Sequence, residues 1–386
     1  MNPMDILPVK TAIVGCGSIS DIFFRNFTER FRIIDLVKCC SKGGASAEAK
    51  ARQYGVEKST LEEILADPDI ELIVNLTPAM QHFDVIKAAL EAGKHVYTEK
   101  VITPDYHLTQ ELIGLAQEKG LLLCSEPDHF MGSSWQCARE YMDAGIIGNV
   151  TSMTATVSQN IGAIADRLRF INEPAGGVAY DFGIYLITQM VSLLGPAKEV
   201  CGILTTQVSE RVHQNVANPD FGNGYTFQNE DMAAAVIRFA NGAVAVIHLN
   251  GNSILEAPGQ FLIYGTCGAF SMPSPAEFSG EMKLYRPGSF EPVPVLSAYG
   301  FDHDSRGVGA AEMAWSLRLG RTPRADARLG LHCQEIIQGI GESARTGKYY
   351  RLTTTCERPK PLPKGCRGLA GFSVDEESSL VLETIR

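Results

Sequence analysis

Two short stretches carry residue types that can do redox chemistry. Gly15-Cys16-Gly17-Ser18-Ile19 follows an apolar run, and Glu99-Lys100 follows His95-Val96-Tyr97-Thr98. Gly15 permits a tight strand-to-helix turn, and Gly17 lets the backbone approach a pyrophosphate at a helix N-terminus. Ser20 stands where a third small residue allows close helix packing. A lysine delivered by a later strand of the same sheet sits where a nicotinamide ring reaches, because open α/β sheets bind ligands beyond the carboxyl ends of their strands. A cation beside the reactive end of a dinucleotide implies hydride transfer. The competing reading, a solvated Glu-Lys pair on a loop, is disfavoured by the position of the pair relative to the glycine turn.

The ribose end of such a cofactor is read at the carboxyl end of the second strand. Asp35 lies at the start of that strand, the wrong end, whereas Ser41-Lys42 closes it. A hydroxyl and an ammonium suit a 2′-phosphate, so NADP is favoured over NAD. Thr77-Pro78 ends another strand, since a residue before proline is held extended, and His82 follows beside the cofactor. His82 contacts the ribose or ring in one reading and caps or packs in the other.

A second cluster lies further on. Asp181 and Tyr185 are four apart, hence on one face of an otherwise apolar helix that begins after Gly176-Gly177. A buried aspartate there needs a partner, either a substrate hydroxyl or Lys100. His129, directly after a strand end, and His303, in the polar loop Asp302-His303-Asp304, are further substrate-facing candidates.

The elements that must position these residues follow from periodicity. Strands at 11–14, 35–41, 70–76, 95–98 and 121–124 alternate with helical patterns, which implies a parallel sheet covered by helices. After about residue 128 the pattern changes to valine- and isoleucine-rich strands, with Asn241-Gly242 marking a hairpin, and then two helices near 307–319 and 327–346. This predicts an α/β nucleotide-binding domain over 8–127, an α+β domain for substrate and oligomerisation over 128–355, and an extended tail over 356–386.

The 386 residues suffice for two cores, and a formal net charge of −10 argues against nucleic acid or an anionic membrane as partner. Ten scattered cysteines show no zinc-ligand spacing, and reduced thiols fit a cytoplasmic protein without a metal. No signal peptide or membrane span is evident.

The stretches AIVGCGSIS from Ala12, TPAMQHFDVIKAALEAGKHVYTEK from Thr77, GGVAYDFGIYLITQMVSLLG from Gly176 and SRGVGAAEMAWSLRLGRTPRADARLGLH from Ser305 resemble the Gfo/Idh/MocA oxidoreductases. The resemblance implies a Rossmann domain joined to a domain with an open, mostly antiparallel sheet. It implies sugar, glycoside or inositol-like substrates, with Lys100 at the nicotinamide and substrate, Asp181 as the helix aspartate, and Tyr185 where the family has its acid/base histidine. It further favours a homodimer or homotetramer. Val101 replaces the family's proline after the lysine, so a different local backbone is expected there.

The expected enzyme is an NAD(P)-dependent dehydrogenase or reductase acting on a secondary alcohol or ketone. Tyr185 is the expected acid/base, its pKa of about 10 lowered by the ammonium of Lys100, with Asp181 orienting a neighbouring hydroxyl. Two rivals are a glycosidase that retains NAD and passes through a transient keto-sugar, and a non-catalytic sugar sensor that binds NAD(P).

Overall fold

The computed structural model describes residues 6–289, 291–364 and 366. Position 365 and residues 367–386, most of the expected tail, lie outside the described residues. The chain divides into two compact units. The first comprises the residues up to Ser133, Ala298–Gly330 and the chain from Lys360; the second comprises Ser134–Ser297 and Leu331–Pro359. The expected sequential domains are thus interleaved: the segment 298–330, assigned by sequence to the second domain, packs with the first.

In the first unit the order is β1 (Val9–Val14), α1 (Ser20–Glu29), β2 (Ile34–Cys40), α2 (Ala45–Tyr54), β3 (Glu57–Lys58), α3 (Leu61–Ala66), β4 (Leu72–Asn75), α4 (His82–Glu91), β5 (His95–Thr98), α5 (Tyr106–Glu118) and β6 (Leu123–Ser125). The strands form a parallel sheet in the order β3-β2-β1-β4-β5-β6, the doubly wound arrangement that reverses between β1 and β4. Apolar runs buried on both faces explain the strands, and Ile86, Leu90 and Leu112 pack helices onto Ile73 and Val96. The short β3 and α3 have weak apolar signals and escape periodicity. α3 is nonetheless announced by a capping box, in which Thr60 accepts from Glu63 N and Glu63 accepts from Thr60 N.

The second unit follows with α6 (Ser133–Asp143), β7 (Val150–Asn160), α7 (Ile161–Ala165) and a π-helical turn (Ala179–Gly183) that runs into α8 (Ile184–Leu194). Strands β8 (Ala197–Thr205), β9 (Glu210–Val212), β10 (Gly224–Thr226), β11 (Met232–Phe239), β12 (Val244–Asn250), β13 (Asn252–Gly265), β14 (Ala269–Met272), β15 (Met282–Tyr285) and β16 (Val293–Val295) come next. Helix α9 (Val308–Leu319) returns to the first unit, and α10 (Ala327–Thr346) and β17 (Tyr350–Arg351) close the order. Nine strands form one mixed sheet, β16-β15-β14-β13-β7-β12-β11-β8-β17, in which only β12 and β7 pair in parallel.

The expected hairpin is β11–β12: Gly242 takes φ +93° and Asn241 accepts from Ala243 N. Ala233, Ala235, Ile237 and Phe239 are buried along one face of β11, while Val236 and its β12 partner Val246 are exposed on the other face of the sheet. After β17, both oxygens of Glu335 accept from Thr353 and Thr354, pinning the chain to α10. The described part of the tail has no helix or strand. It is anchored to the first unit by Gly300 N donating to Cys366 O at 2.7 Å and by Arg324 donating to the carbonyls of Lys360 and Pro361.

Candidate functional site

Cys40, Val14, Asn75, Thr98 and Ser125 stand side by side across five strands of the first sheet. All five strands run the same way, so their following residues leave the sheet along one edge. Ser41-Lys42, Gly15–Ile19, Thr77-Pro78, Glu99-Lys100 and Asp128-His129 therefore emerge together. Lys100 lies two strands from the glycine turn, about 10 Å at ordinary strand spacing.

Each glycine of the turn has its own reason. Gly15 has φ +103°, and a Cβ there would lie 2.6 Å from the carbonyl carbon of Leu76. Nothing lies within 4 Å of a Cβ built on Gly17. That open side next to the N-terminus of α1 fits a pyrophosphate approaching the backbone. Ser20 is fully buried and donates to Gly17 O at 2.6 Å, closing the turn. Ile19 takes the position before α1 with helical backbone angles.

At β2, Ser41 Oγ accepts from Ala47 N at 3.2 Å and from Ser46 Oγ at 2.8 Å, capping α2. Lys42 is exposed beside it, whereas Asp35 sits at the far end of β2 opposite Lys10.

The β4 and β5 ends are laced together by Asn75, which the sequence reading passed over. Its amide donates to Thr98 Oγ1 at 3.1 Å, and its carbonyl oxygen accepts from Thr77 Oγ1 at 2.7 Å. The available signal was a single polar residue at the end of the apolar run Leu72-Ile73-Val74. Glu99 accepts from the backbone of Lys100 at 2.9 Å, and the Lys100–Val101 peptide is cis. His82 is buried below it, with Nδ1 2.7 Å from Val101 O and Nε2 2.7 Å from Thr77 O. His82 thus braces the two loops from beneath, the packing alternative, and burial lowers its pKa.

His129 is also buried. Its Nδ1 lies 3.7 Å from Asp128 Oδ1, and Glu126, Asp128 and His129 bring their ligand atoms within 4.8 Å of one another. The carboxylates are used structurally: Tyr97 donates to both, and Asp128 accepts from Gly307 N and Gly309 N at the start of α9. Burial pushes both acids up, Asp128 to about 6, and holds His129 well below its ordinary value. His303 lies on the loop before α9, largely exposed and 3.4 Å from Asp302.

In the second unit, Asp181 sits in the π-helical turn and Tyr185 in the first turn of α8. Both are partly exposed, so the burial penalty expected for Asp181 does not arise. The ring of Tyr185 lies 6.0 Å from that of Phe182. A π-turn inside a helix often marks a functional position.

The chain matches two family models: the oxidoreductase family with NAD-binding Rossmann fold over residues 9–126, and the GFO/IDH/MocA C-terminal domain over 135–271. It is 31% identical over 205 residues to the uncharacterized oxidoreductase C115.03 of Schizosaccharomyces pombe, covering 52% of this chain and 56% of that protein. The chain thus spans little more than half the length of such curated relatives. A dTDP-3,4-didehydro-2,6-dideoxy-alpha-D-glucose 3-reductase of Saccharopolyspora spinosa is 26% identical over 88% of this chain and 98% of its own length. Among solved structures, levoglucosan dehydrogenase in complex with NADH and L-sorbose superimposes with TM-score 0.78 at 20% identity, covering 90% of this chain and all of that one, a likeness of fold. With both of its characteristic domains present, the chain belongs to the Gfo/Idh/MocA family of oxidoreductases.

Proposed function

We propose that the protein is an NAD(P)-dependent dehydrogenase or reductase that interconverts a secondary alcohol and a ketone on a sugar, glycoside or inositol-like polyol. The observation that carries this reading is the shared edge of the first sheet, where the glycine turn and Lys100 emerge from parallel strands. Relatives named as a sugar reductase and as levoglucosan dehydrogenase support the substrate class.

The nicotinamide, when bound, supplies the hydride acceptor or donor. Lys100 holds the substrate oxygen and stabilises negative charge as the hydroxyl proton departs. Tyr185 takes that proton as acid/base, and Asp181 accepts from a neighbouring hydroxyl, since a carboxylate is acceptor-only. Gly15, Gly17, Ser18 and Ile19 receive the pyrophosphate, and Thr77, Pro78 and Glu99 line the path to the ring. Lys42 and the Ser41 hydroxyl favour NADP; NADH in solved relatives makes NAD the second reading. The exposed sheet face carrying Val236 and Val246 is proposed to pair two copies into a dimer or tetramer. No helix among the described residues is long and apolar enough to cross a membrane.

The test is a panel of levoglucosan, myo-inositol, glucose and methyl glucosides with NAD⁺ and NADP⁺, followed at 340 nm. Turnover of at least one sugar is expected. Tyr185→Phe should lower its rate about 100-fold, the low end for general acid/base catalysis. A rate within about threefold of wild type removes Tyr185 from the mechanism.

A further inference from the structure

The helix that carries Asp181 and Tyr185 begins without a side chain of its own to cap it. Gly176 and Gly177 precede it, and Val178 makes no side-chain capping bond. The first N–H groups of a helix need acceptors from elsewhere when they are buried. Here they come from Glu230, on the segment just before β11. Its Oε1 accepts from Ala179 N at 3.2 Å, and its carbonyl oxygen accepts from Val178 N at 3.0 Å. Two successive donors at the start of the helix thus end on one residue.

The two glycines make room for this arrangement. A Cβ on Gly177 would overlap the Glu230 carboxylate, and a Cβ on Gly176 would overlap the carbonyls of Phe170 and Ile171. Glu230 is itself held on both sides. Asn229 donates to Ile171 O and Glu173 O, each at 2.7 Å. Asp231 accepts from Gln207 N, Val208 N and Arg211 Nη2, all within 2.9 Å. The carboxylate is therefore presented from a segment bonded on both sides, against the start of the π-helical turn containing Asp181.

We propose that Glu230 is a positioning residue, whose carboxylate sets the start of the helix and hence the direction of Asp181 and Tyr185. This rests on the reading of those two residues as substrate-facing. A negative group at a helix N-terminus is favourable in itself, but its location fixes geometry as well as stability. Glu230 touches no substrate in this proposal.

Hydrogen exchange followed by mass spectrometry on Glu230→Ala, Glu230→Gln, Gly177→Ala and the Gly177→Ala/Glu230→Ala double variant tests it. Exchange at 178–182 should accelerate about tenfold in the first and third variants, with β11 and β12 unchanged as the control for folding. Glu230→Gln, which keeps an acceptor oxygen, should remain within about threefold of wild type. The double variant should be no worse than Glu230→Ala, because the overlap is gone. Unchanged exchange in Glu230→Ala, or additive effects in the double variant, overturns the cap.

Turnover of levoglucosan with NAD⁺ supplies the second readout. A fall of about tenfold in kcat, with the KM for NAD⁺ within about twofold, is expected for a residue that aims substrate groups. Faster exchange with unchanged kcat shows a merely structural cap and overturns the positioning role. If the wild-type protein oxidises no sugar, the functional reading fails there, while the exchange measurement still decides whether Glu230 sets the helix.

Discussion

His82 Nδ1 lies 2.7 Å from the carbonyl oxygen of Val101, the residue directly after Lys100. The backbone that carries the lysine is thus held in place. It is braced from beneath by a buried ring and along the backbone by Glu99. A cation delivered from a fixed backbone position is what the proposed stabilisation of charge during reaction needs.

Lys100→Met keeps the length of the side chain and removes its charge. We expect kcat with the best panel sugar to fall about 10²–10³-fold, the range for losing one oriented electrostatic donor. Tight binding of the cofactor should persist, measured by quenching of protein fluorescence on NADPH addition. A variant with wild-type kcat would remove Lys100 from the chemistry.

Lys42→Ala addresses the ribose end. A charge-assisted bond to a 2′-phosphate is worth about 1.5–3 kcal/mol, so the KM for NADP⁺ should rise at least about tenfold. The KM for NAD⁺ should stay within about twofold, since no phosphate is involved. Equal changes for both cofactors would mean that Lys42 serves neither selectively.

Gly15→Ala tests the turn without touching a charge. Its Cβ would meet the backbone where β4 ends, at 2.6–2.7 Å, in a residue with φ +103°. Both effects are unfavourable, and a loss of about 2–3 kcal/mol in urea unfolding is expected. Wild-type stability would show that the close approach of the two strand ends relaxes easily.

Acid sensitivity should be traceable to His332. Its Nε2 accepts from Ala197 N at 2.9 Å, its Nδ1 bonds Thr354 Oγ1 at 2.9 Å, and burial holds its pKa down at about 4. The unfolded chain takes up a proton below about 6.5 that the native protein refuses until about 4, so stability falls as pH falls through that window. The loss approaches about 3 kcal/mol. Asp128, raised by burial to about 6, acts in the opposite sense: the native protein retains its proton where the unfolded chain releases it. His332→Gln should therefore be less stable at pH 7 yet show a flatter acid limb in urea titrations. Parallel limbs would refute the assignment.

Much of this was legible in the residues themselves. Apolar strands ending in Gly15, Thr77 and Lys100 announced a parallel sheet, because side chains buried on both faces leave few alternatives. The helix pair Asp181 and Tyr185 was also legible from spacing alone, although their partial exposure was not. Asn75 and Glu230 escaped because each acts through bonds to backbone far away in sequence, which no local period records. The interleaving of the units escaped for a related reason. The apolar pattern of α9 reads the same whichever sheet it covers, and distant bonds place it, among them Asp128 accepting from Gly307 and Gly309, Asn26 donating to Arg306 O, and Arg318 paired with Glu71.

That grip has a consequence for biosynthesis. The acceptor at Asp128 and its donor at Gly307 are separated by 179 positions. Until the ribosome has extruded that later helix, Tyr97 lacks the backbone of Gly309 against which its ring rests. A fragment ending near Ser133 would carry every residue of the dinucleotide turn and still lack a wall of its own fold. Expression of the nucleotide-binding half alone should yield a sticky, protease-sensitive polypeptide, and supplying residues 298–330 on a tether should cure it.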